Sequence, residues 1–231
     1  AFTGTLADGV APIGTTNTAL ALTKAGSGTL TLSGGNTYSG TTTVSSGLLI
    51  AQGGSAIGDL STVAMADTAT AVLQITASEQ VGSLAGGGTS GGNITLGTGT
   101  QLTIGNNSTD TSYGGVISGI GASLLKRGSG NQTLTGDNTF TGGVTIQNGT
   151  VTVPFVAATG TPQPLGTAGS AVTFTGAGSL VVTGSGTLDR GLVLANAANG
   201  VEAGGTVTQT GVISGGGSSA TFTKSGLGTF N

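Results

Sequence analysis

Lys24 to Ile50 reads KAGSGTLTLSGGNTYSGTTTVSSGLLI, and the same pattern returns 102 positions later, from Lys126 to Thr152, as KRGSGNQTLTGDNTFTGGVTIQNGTVT. A third copy runs from Lys224 to Asn231. The residues that recur at the same offset include Gly26, Ser27, Gly28, Leu32, Gly34, Asn36, Thr37, Gly40 and Gly47. A long repeat made of strands and turns predicts an array in which each unit buries its apolar face on its neighbour.

Short strand patterns fill the sequence, and helix patterns are nearly missing. Thr29–Leu32, Gln101–Ile104 and Val144–Ile146 alternate polar with apolar residues, which is typical of strands. Between such segments stand glycine pairs that supply the positive φ angles of tight turns. Short strands at this spacing fit a sandwich, a barrel or a solenoid. The repeat, the 48 glycines and the 3% aromatic content favour the solenoid.

The predicted fold is therefore all-β: one right-handed parallel β-solenoid of roughly ten coils over residues 1–231, with essentially no helix. Its repeat units are expected at about 22–124 and 125–222, followed by a partial unit at 223–231. The side chains expected to point inward are Leu30, Leu32, Val44, Leu102, Ile104, Leu134, Val144 and Ile146.

Composition excludes several classes of function. Only 6% of residues are charged and the net charge is −3, so no basic patch exists for a nucleic acid. The sequence contains no run of 18 apolar residues, which a membrane-spanning helix would need, so this segment is not expected to insert into a membrane. Cysteine is absent, which suits a chain that crosses a membrane unfolded but also fits a composition low in cysteine. With no signal peptide before Ala1, we expect a mature product or a fragment.

The repeat resembles the passenger-associated repeat of bacterial autotransporters. The resemblance lies in Leu22 to Val44, Leu125 to Ile146 and Phe222 to Asn231, preceded by G-V-I-S-G at Gly115–Gly119 and Gly211–Gly215. In that family the repeat implies a right-handed β-helix, secretion across the outer membrane and exposure at the cell surface. The expected location is therefore extracellular or on the bacterial cell surface.

No catalytic chemistry is predicted, and no cofactor or metal. Histidine and cysteine are absent, which removes the common acid–base and nucleophilic groups. A Ser–Lys pair at Lys24 and Ser27 would need a desolvated lysine, whereas we expect this one at an exposed strand-to-turn edge. The carboxylates are scattered, and the glycine clusters Gly86–Gly88 and Gly215–Gly217 precede no helix that could hold a phosphate.

The repeat-defining residues are interpreted as structural. Lysines at the shared position suggest edge residues that discourage unwanted strand pairing, with an inter-unit salt bridge as the alternative. Tyr38 and Phe140 are expected to close a turn from the inside, and Asn36 and Asn138 to shape it or to stack in ladders. The full set is Lys24, Gly26, Gly28, Asn36, Tyr38, Gly40, Lys126, Gly128, Gly130, Asn138, Phe140, Gly142 and Lys224.

The two ends of the sequence suggest assembly. Placed after Asn231, the first four residues give N-A-F-T-G, close to N-T-F-T-G at Asn138–Gly142. One copy would then continue another, with residues 1–7 completing the third unit. The predicted assembly interface comprises Ala1, Phe2, Thr3, Gly4, Thr229, Phe230 and Asn231. Arbitrary ends of a fragment are the alternative.

The function predicted from these features is structural: a surface-exposed module of a bacterial stalk or fibre, whose partners are other copies of itself joined head to tail. An adhesin fragment that binds a surface or host receptor is the alternative. A third class, ice binding by flat Thr-x-Thr arrays, is disfavoured because Thr29 and Thr31 become Asn131 and Thr133 in the second copy.

Overall fold

The computed structural model describes residues 1–9, 18–195, 199–215 and 221–231. Within these ranges the chain forms strands and no helix. The strands are β1 (Leu22–Lys24), β2 (Thr29–Leu32), β3 (Thr42–Val44), β4 (Gly47–Ala51), β5 (Thr62–Met65), β6 (Ala71–Ile75), β7 (Glu79–Gln80), β8 (Ser83–Gly86), β9 (Asn93–Leu96), β10 (Gln101–Ile104), β11 (Thr111–Tyr113), β12 (Ile117–Ser118), β13 (Ser123–Lys126), β14 (Asn131–Leu134), β15 (Val144–Ile146), β16 (Gly149–Val153), β17 (Val172–Phe174), β18 (Gly178–Val182), β19 (Gly186–Leu188), β20 (Leu192–Leu194), β21 (Asn199–Ala203), β22 (Thr206–Gln209), β23 (Ile213–Gly215), β24 (Phe222–Ser225) and β25 (Thr229–Phe230).

Parallel sheets form three sides of the molecule, which the chain visits in turn. The first side is a ten-stranded sheet in the order β1-β3-β5-β8-β11-β14-β16-β18-β21-β24. The second side holds a five-stranded sheet, β12-β9-β6-β4-β2, and further along the chain a three-stranded sheet, β19-β22-β25. The third side is a seven-stranded sheet, β23-β20-β17-β15-β13-β10-β7.

Each strand of the first side belongs to one coil of the solenoid. Thr43 pairs with Thr23 before it and Ala64 after it, at separations of 20 and 21 residues. Ten strands at a spacing of about 4.8 Å give a stack about 45 Å long. The predicted all-β solenoid of about ten coils is confirmed. In the described parts of the chain, no helix has the length and hydropathy to cross a membrane.

The core lies inside the coils, and strand alternation decides which residues enter it. In β4, Leu49 and Ala51 are buried and Leu48 and Ile50 lie on the outer face. All residues predicted to point inward are buried except Leu30, which is half-buried. Leu30 belongs to β2, the last strand of its sheet, which is covered from outside only by the short extended segment around Phe2.

The two full repeat copies lie on different sides of the solenoid. In the first copy, β1 and β3 are on the first side and β2 and β4 on the second; in the second copy, β13 and β15 are on the third side and β14 and β16 on the first. The offset of 102 residues therefore does not equal a whole number of coils. Thr29 and Thr31 consequently lie on another side of the solenoid than Asn131 and Thr133. Comparing these two pairs therefore does not decide whether any one face carries a regular threonine array.

Candidate functional site

Two of the three repeat lysines, Lys24 and Lys126, are buried, and the ammonium groups of all three bind backbone carbonyls. Lys24 is 6% exposed. Its Nζ donates hydrogen bonds to the carbonyl oxygens of Ala25 at 3.0 Å and Gly26 at 2.7 Å, and to that of Ser46 in the next coil at 2.9 Å. The predicted role as an exposed edge residue is therefore wrong for Lys24. The burial of Lys24 also contradicts the expectation that this lysine is solvated, which was the argument against a Ser–Lys pair. Its ammonium group is nevertheless occupied, because it donates to carbonyl oxygens.

Lys126 repeats the arrangement on another side of the solenoid. Its side chain is 1% exposed. Its Nζ donates to the carbonyl oxygens of Arg127, Gly128 and, at 3.2 Å, Asn148 in the next coil. Burial lowers the pKa of Lys126 to about 8, against the opposing effect of the Asp110 carboxylate. We call each lysine with its carbonyl ligands a lysine cradle.

The third lysine lacks one part of the cradle. Lys224 donates to the carbonyl oxygens of Gly226 and Gly228 within its own turn and is exposed. Its acceptors among the described residues belong to this turn, whereas Lys24 and Lys126 also reach a carbonyl 22 residues on. The alternative prediction, an inter-unit salt bridge, is not what the structure has, since the acceptors of all three ammonium groups are carbonyl oxygens.

Glycine is required where the next coil passes the cradle. Gly47 and Gly149 occupy the same position in the two copies and have φ of 74° and 66°. A Cβ at Gly47 would lie 2.3 Å from Lys24 Nζ, and one at Gly149 would lie 2.5 Å from the Gly128 carbonyl oxygen. Both the left-handed backbone and the close approach exclude a larger residue.

The repeat asparagines connect three consecutive coils. Asn36 Oδ1 accepts a hydrogen bond from Leu6 N–H at 2.7 Å, and its Nδ2 donates to the Ala56 carbonyl at 2.6 Å. Asn138, fully buried, accepts from Ile117 N–H at 2.7 Å and donates to the Pro164 carbonyl at 2.7 Å. The two asparagines do not stack on one another, because their copies lie on different sides.

The repeat aromatics, two residues after each asparagine, fill the interior of the solenoid corner. Tyr38 and Phe140 are fully buried, as expected for residues that close a turn from within. The Tyr38 hydroxyl lies 2.6 Å from Thr42 Oγ1, which is 2.8 Å from Ser61 Oγ. Phe140 has no hydroxyl and needs no such partner. Neither ring is available to stack on a ligand.

Sequence reasoning missed two further buried charged groups. Glu79 is 2% exposed and accepts hydrogen bonds from Ala56 N–H at 3.2 Å and Ile57 N–H at 2.9 Å. Burial raises the pKa of its carboxyl group to about 7, the two hydrogen bonds oppose that shift, and the Asp59 charge adds to it. The available signal was alternation, because Glu79 stands two residues before the buried Val81.

Arg190 is the other buried group, at 1% exposure. Its guanidinium donates to the Leu165 carbonyl at 2.8 Å and the Gly166 carbonyl at 2.7 Å. Burial lowers its pKa, against the effect of the Asp189 charge. The buried lysine, glutamate and arginine side chains thus have the same structural role. Each forms hydrogen bonds with backbone groups of the turns that connect the strands.

The predicted assembly residues lie at opposite ends of the stack. Phe2 forms a rung next to β2, with Phe2 N–H donating to the Thr31 carbonyl at 2.7 Å and Ser33 N–H donating to the Phe2 carbonyl at 3.1 Å. At the other end β25 pairs with β22, and the rings of Phe230 and Phe222 are 5.3 Å apart. Within one chain the structure does not bring Ala1, Thr3 and Gly4 near Thr229 and Asn231. Both groups, however, lie on the second side.

The acidic residues and the glycine clusters were the remaining candidates for a chemical site. Within the described ranges, no group of three or more Asp and Glu side chains is placed to hold a metal ion. Gly86–Gly88 form the end of β8 and the start of a turn. Of the other glycine cluster, Gly216 and Gly217 fall outside the described residues.

Comparison with known proteins locates the same two stretches. The family model of the passenger-associated-transport-repeat matches residues 22–51 and 124–153. The chain is 35% identical over 148 residues to the adhesin BmaC autotransporter of Brucella suis biovar 1 (strain 1330). That similarity covers 63% of this chain and 4% of the relative. No solved structure matches the chain. The predicted resemblance and the extracellular or cell-surface location are confirmed.

Proposed function

We propose that this chain is an autotransporter passenger segment built from passenger-associated repeats, and that it serves as a non-enzymatic structural module of a stalk at the bacterial cell surface. Its about 45 Å of stacked coils would hold other parts of a passenger away from the membrane. Since the chain spans only 4% of the relative it matches, this role concerns the segment itself.

The observation that carries the proposal is the position of the repeated residues. Lys24, Asn36 and Tyr38, with their counterparts Lys126 and Asn138, are buried. The two copies also lie on different sides of the solenoid. A repeat selected for binding a ligand would instead present shared residues on the surface. The shared residues here join neighbouring coils, which supports a structural role.

Surface display tests the proposal. The chain, carried on an autotransporter with an N-terminal tag, should lose protease-resistant display when Lys126 or Asn138 is substituted. Substitution of outward residues such as Thr43 and Thr145 should leave display unchanged. Resistance unaffected by the buried substitutions would refute the structural role.

Head-to-tail assembly is a finer proposal about the same module. The Phe2 segment forms the first rung of the second side, and β25 forms a last rung on that side. The ladders between the named strands are parallel, as is the bridge of Phe2 to Leu32, so β25 of one copy and the Phe2 segment of the next could pair without a change of strand direction. A contact of this kind does not close and would give a filament.

Electron microscopy of the purified chain tests the filament. Fibres are expected, and deletion of residues 1–7 should abolish them. If the shortened chain still forms fibres of the same repeat, the end-to-end contact is wrong. If the intact chain forms no fibres, assembly between separate chains is also wrong. The same contact could then occur only between tandem copies in one polypeptide.

Adhesion is the second candidate function. The relative from Brucella suis is named an adhesin, and binding of this chain to an abiotic surface or a host receptor would be a property of its outward residues. The folded chain should then retain cells or coat a surface, in an assay that is separate from the display measurement above.

A further inference from the structure

One coil is longer than its neighbours and forms a hairpin on the surface. Gly86 and Tyr113 pair on the first side at a separation of 27 residues, compared with 21 for Ser112 and Thr133 in the next coil. Gly86 to Asn93 spans seven positions, whereas the corresponding stretch of the next coil, Tyr113 to Val116, spans three. The longer stretch forms a turn in which Gly88 and Gly91 bond each other through their backbones, at 3.0 and 3.3 Å. Thr89 and Ser90 are at the exposed tip.

The hairpin is held firmly at its base. The Asp67 carboxylate accepts a hydrogen bond from Ser90 N–H at 2.8 Å. Gly92 N–H donates to the Thr68 carbonyl at 2.9 Å. The hydroxyl of Tyr113, a fully buried residue, donates to the Gly92 carbonyl at 2.6 Å. The hairpin is therefore pre-organised by contacts from both neighbouring coils, which lowers the entropic cost of binding a ligand beside it.

A groove of about 580 Å³ opens between the hairpin and the corners of the next two coils. This volume is within the usual range for small-molecule sites. We refer to it as the hairpin groove. Thr89, Ser112, Thr135 and Asp137 line it with exposed polar side chains, and none of these side chains makes a hydrogen bond to another described residue. Val116 adds an apolar contact.

The chemistry of the groove disfavours anionic ligands and suits ligands rich in hydrogen-bonding groups. Hydroxyl groups and one carboxylate supply donors and acceptors in different directions, and no lysine or arginine is among the described residues that line the groove. An anion would meet Asp137 with no compensating charge. A neutral, hydroxyl-rich ligand would find a hydrogen-bond partner at each wall, and the glycines of the hairpin allow its rings to approach the backbone.

We propose that the hairpin groove binds a short segment of a neutral oligosaccharide. This extends the adhesive candidate function and does not depend on the stalk role. The described lining holds no aromatic ring, which predicts weak binding by a single chain, with affinity gained from many copies on a surface.

Ligand-observed NMR tests the proposal on the whole chain with four probes: maltotetraose, cellotetraose, mannotetraose and a heparin-derived tetrasaccharide. At least one neutral probe should bind and the sulfated one should not. Thr135→Val, which removes one hydroxyl at constant shape, should weaken binding by roughly three- to tenfold. Ser112→Phe should abolish it, because the ring would fill the groove from an outward position of β11.

The matched control is Thr43→Phe, an outward position of β3 in the same sheet, three strands from β11 and not part of the groove lining. It should bind as the unmodified chain does. Circular dichroism establishes that each variant is folded, and Thr135→Val alone decides the test should Ser112→Phe not fold. No binding of any neutral probe, stronger binding of the sulfated probe, or binding unchanged by Thr135→Val and Ser112→Phe would overturn the assignment.

Discussion

Lys126 and Asn148 are 22 residues apart in consecutive coils, and the Lys126 ammonium donates a 3.2 Å hydrogen bond to the Asn148 carbonyl oxygen. Lys24 makes the same contact with Ser46, also 22 residues on, at 2.9 Å. In each case the lysine also binds carbonyls of its own turn. One buried cation therefore joins two glycine-rich turns whose carbonyls would otherwise be unsatisfied.

Lys126→Met should destabilise the solenoid by about 2–4 kcal/mol, because the methionine fills the space but leaves the carbonyl oxygens of Arg127, Gly128 and Asn148 without the ammonium donor. The measurement is urea unfolding followed by circular dichroism at pH 7. Lys224→Met is the control: that lysine is exposed and binds only its own turn, so its effect should be below about 1 kcal/mol. Equal effects of the two substitutions would show that the inter-coil contact adds no stability.

Alternation predicted most of the fold, and it also contained the signal for the buried lysines. Leu102 and Ile104 follow the two-residue period of a strand and are buried as predicted. Lys126 follows the same period two residues after Leu124, which points inward. The prediction that this lysine is exposed followed instead the usual preference of charged side chains for water. It failed because glycine-rich turns place carbonyl oxygens around the ammonium.

Other features depended on how the chain winds rather than on local pattern. The side on which each repeat copy lies follows from the lengths of all coils between them. Two of those coils are unequal, the 27-residue coil that ends at Tyr113 being longer than the 21-residue coil from Ala64 to Ala85. No local motif gives that length. The hairpin groove lies where the next coil turns the same corner with four fewer residues, from Tyr113 to Val116, and that difference could not be predicted from the sequence.

Asn138→Ala should destabilise the chain by about 2–3 kcal/mol, since Ile117 N–H and the Pro164 carbonyl would both lose a buried partner. Hydrogen exchange should show the loss locally, as faster exchange of the Ile117 amide. Asn106→Ala is the control, because the Asn106 side chain makes one long, exposed hydrogen bond of 3.3 Å to the Asp59 carbonyl. Unchanged protection of Ile117 would contradict the role of Asn138 as a link between coils.

Leu134→Asp should prevent the coils around β14 from stacking. Leu134 is fully buried between neighbouring coils, and an unpaired carboxylate there costs more than about 4 kcal/mol. Limited proteolysis is expected to cut the variant within this region while the unmodified chain resists. Leu227→Asp provides the control, since Leu227 is fully exposed. A protease-resistant Leu134→Asp chain would show that the core tolerates a charge.

Stability should fall as the pH rises from about 4.5 to about 7, because burial raises the pKa of Glu79 from its ordinary 4.5 to about 7 in the folded chain. The folded state binds the proton more tightly, so the stabilisation is complete below pH 4.5 and is lost above pH 7. The difference corresponds to about 3 kcal/mol. Urea unfolding at pH 5 and pH 8 measures it. Glu79→Gln keeps an acceptor oxygen for one of the two N–H groups, Ile57 or Ala56, and should remove the pH dependence at some cost in stability. Asp59→Asn, at an exposed neighbour, should retain the pH dependence. A wild-type profile as flat as that of Glu79→Gln would mean that the buried carboxyl group stays ionised throughout this range.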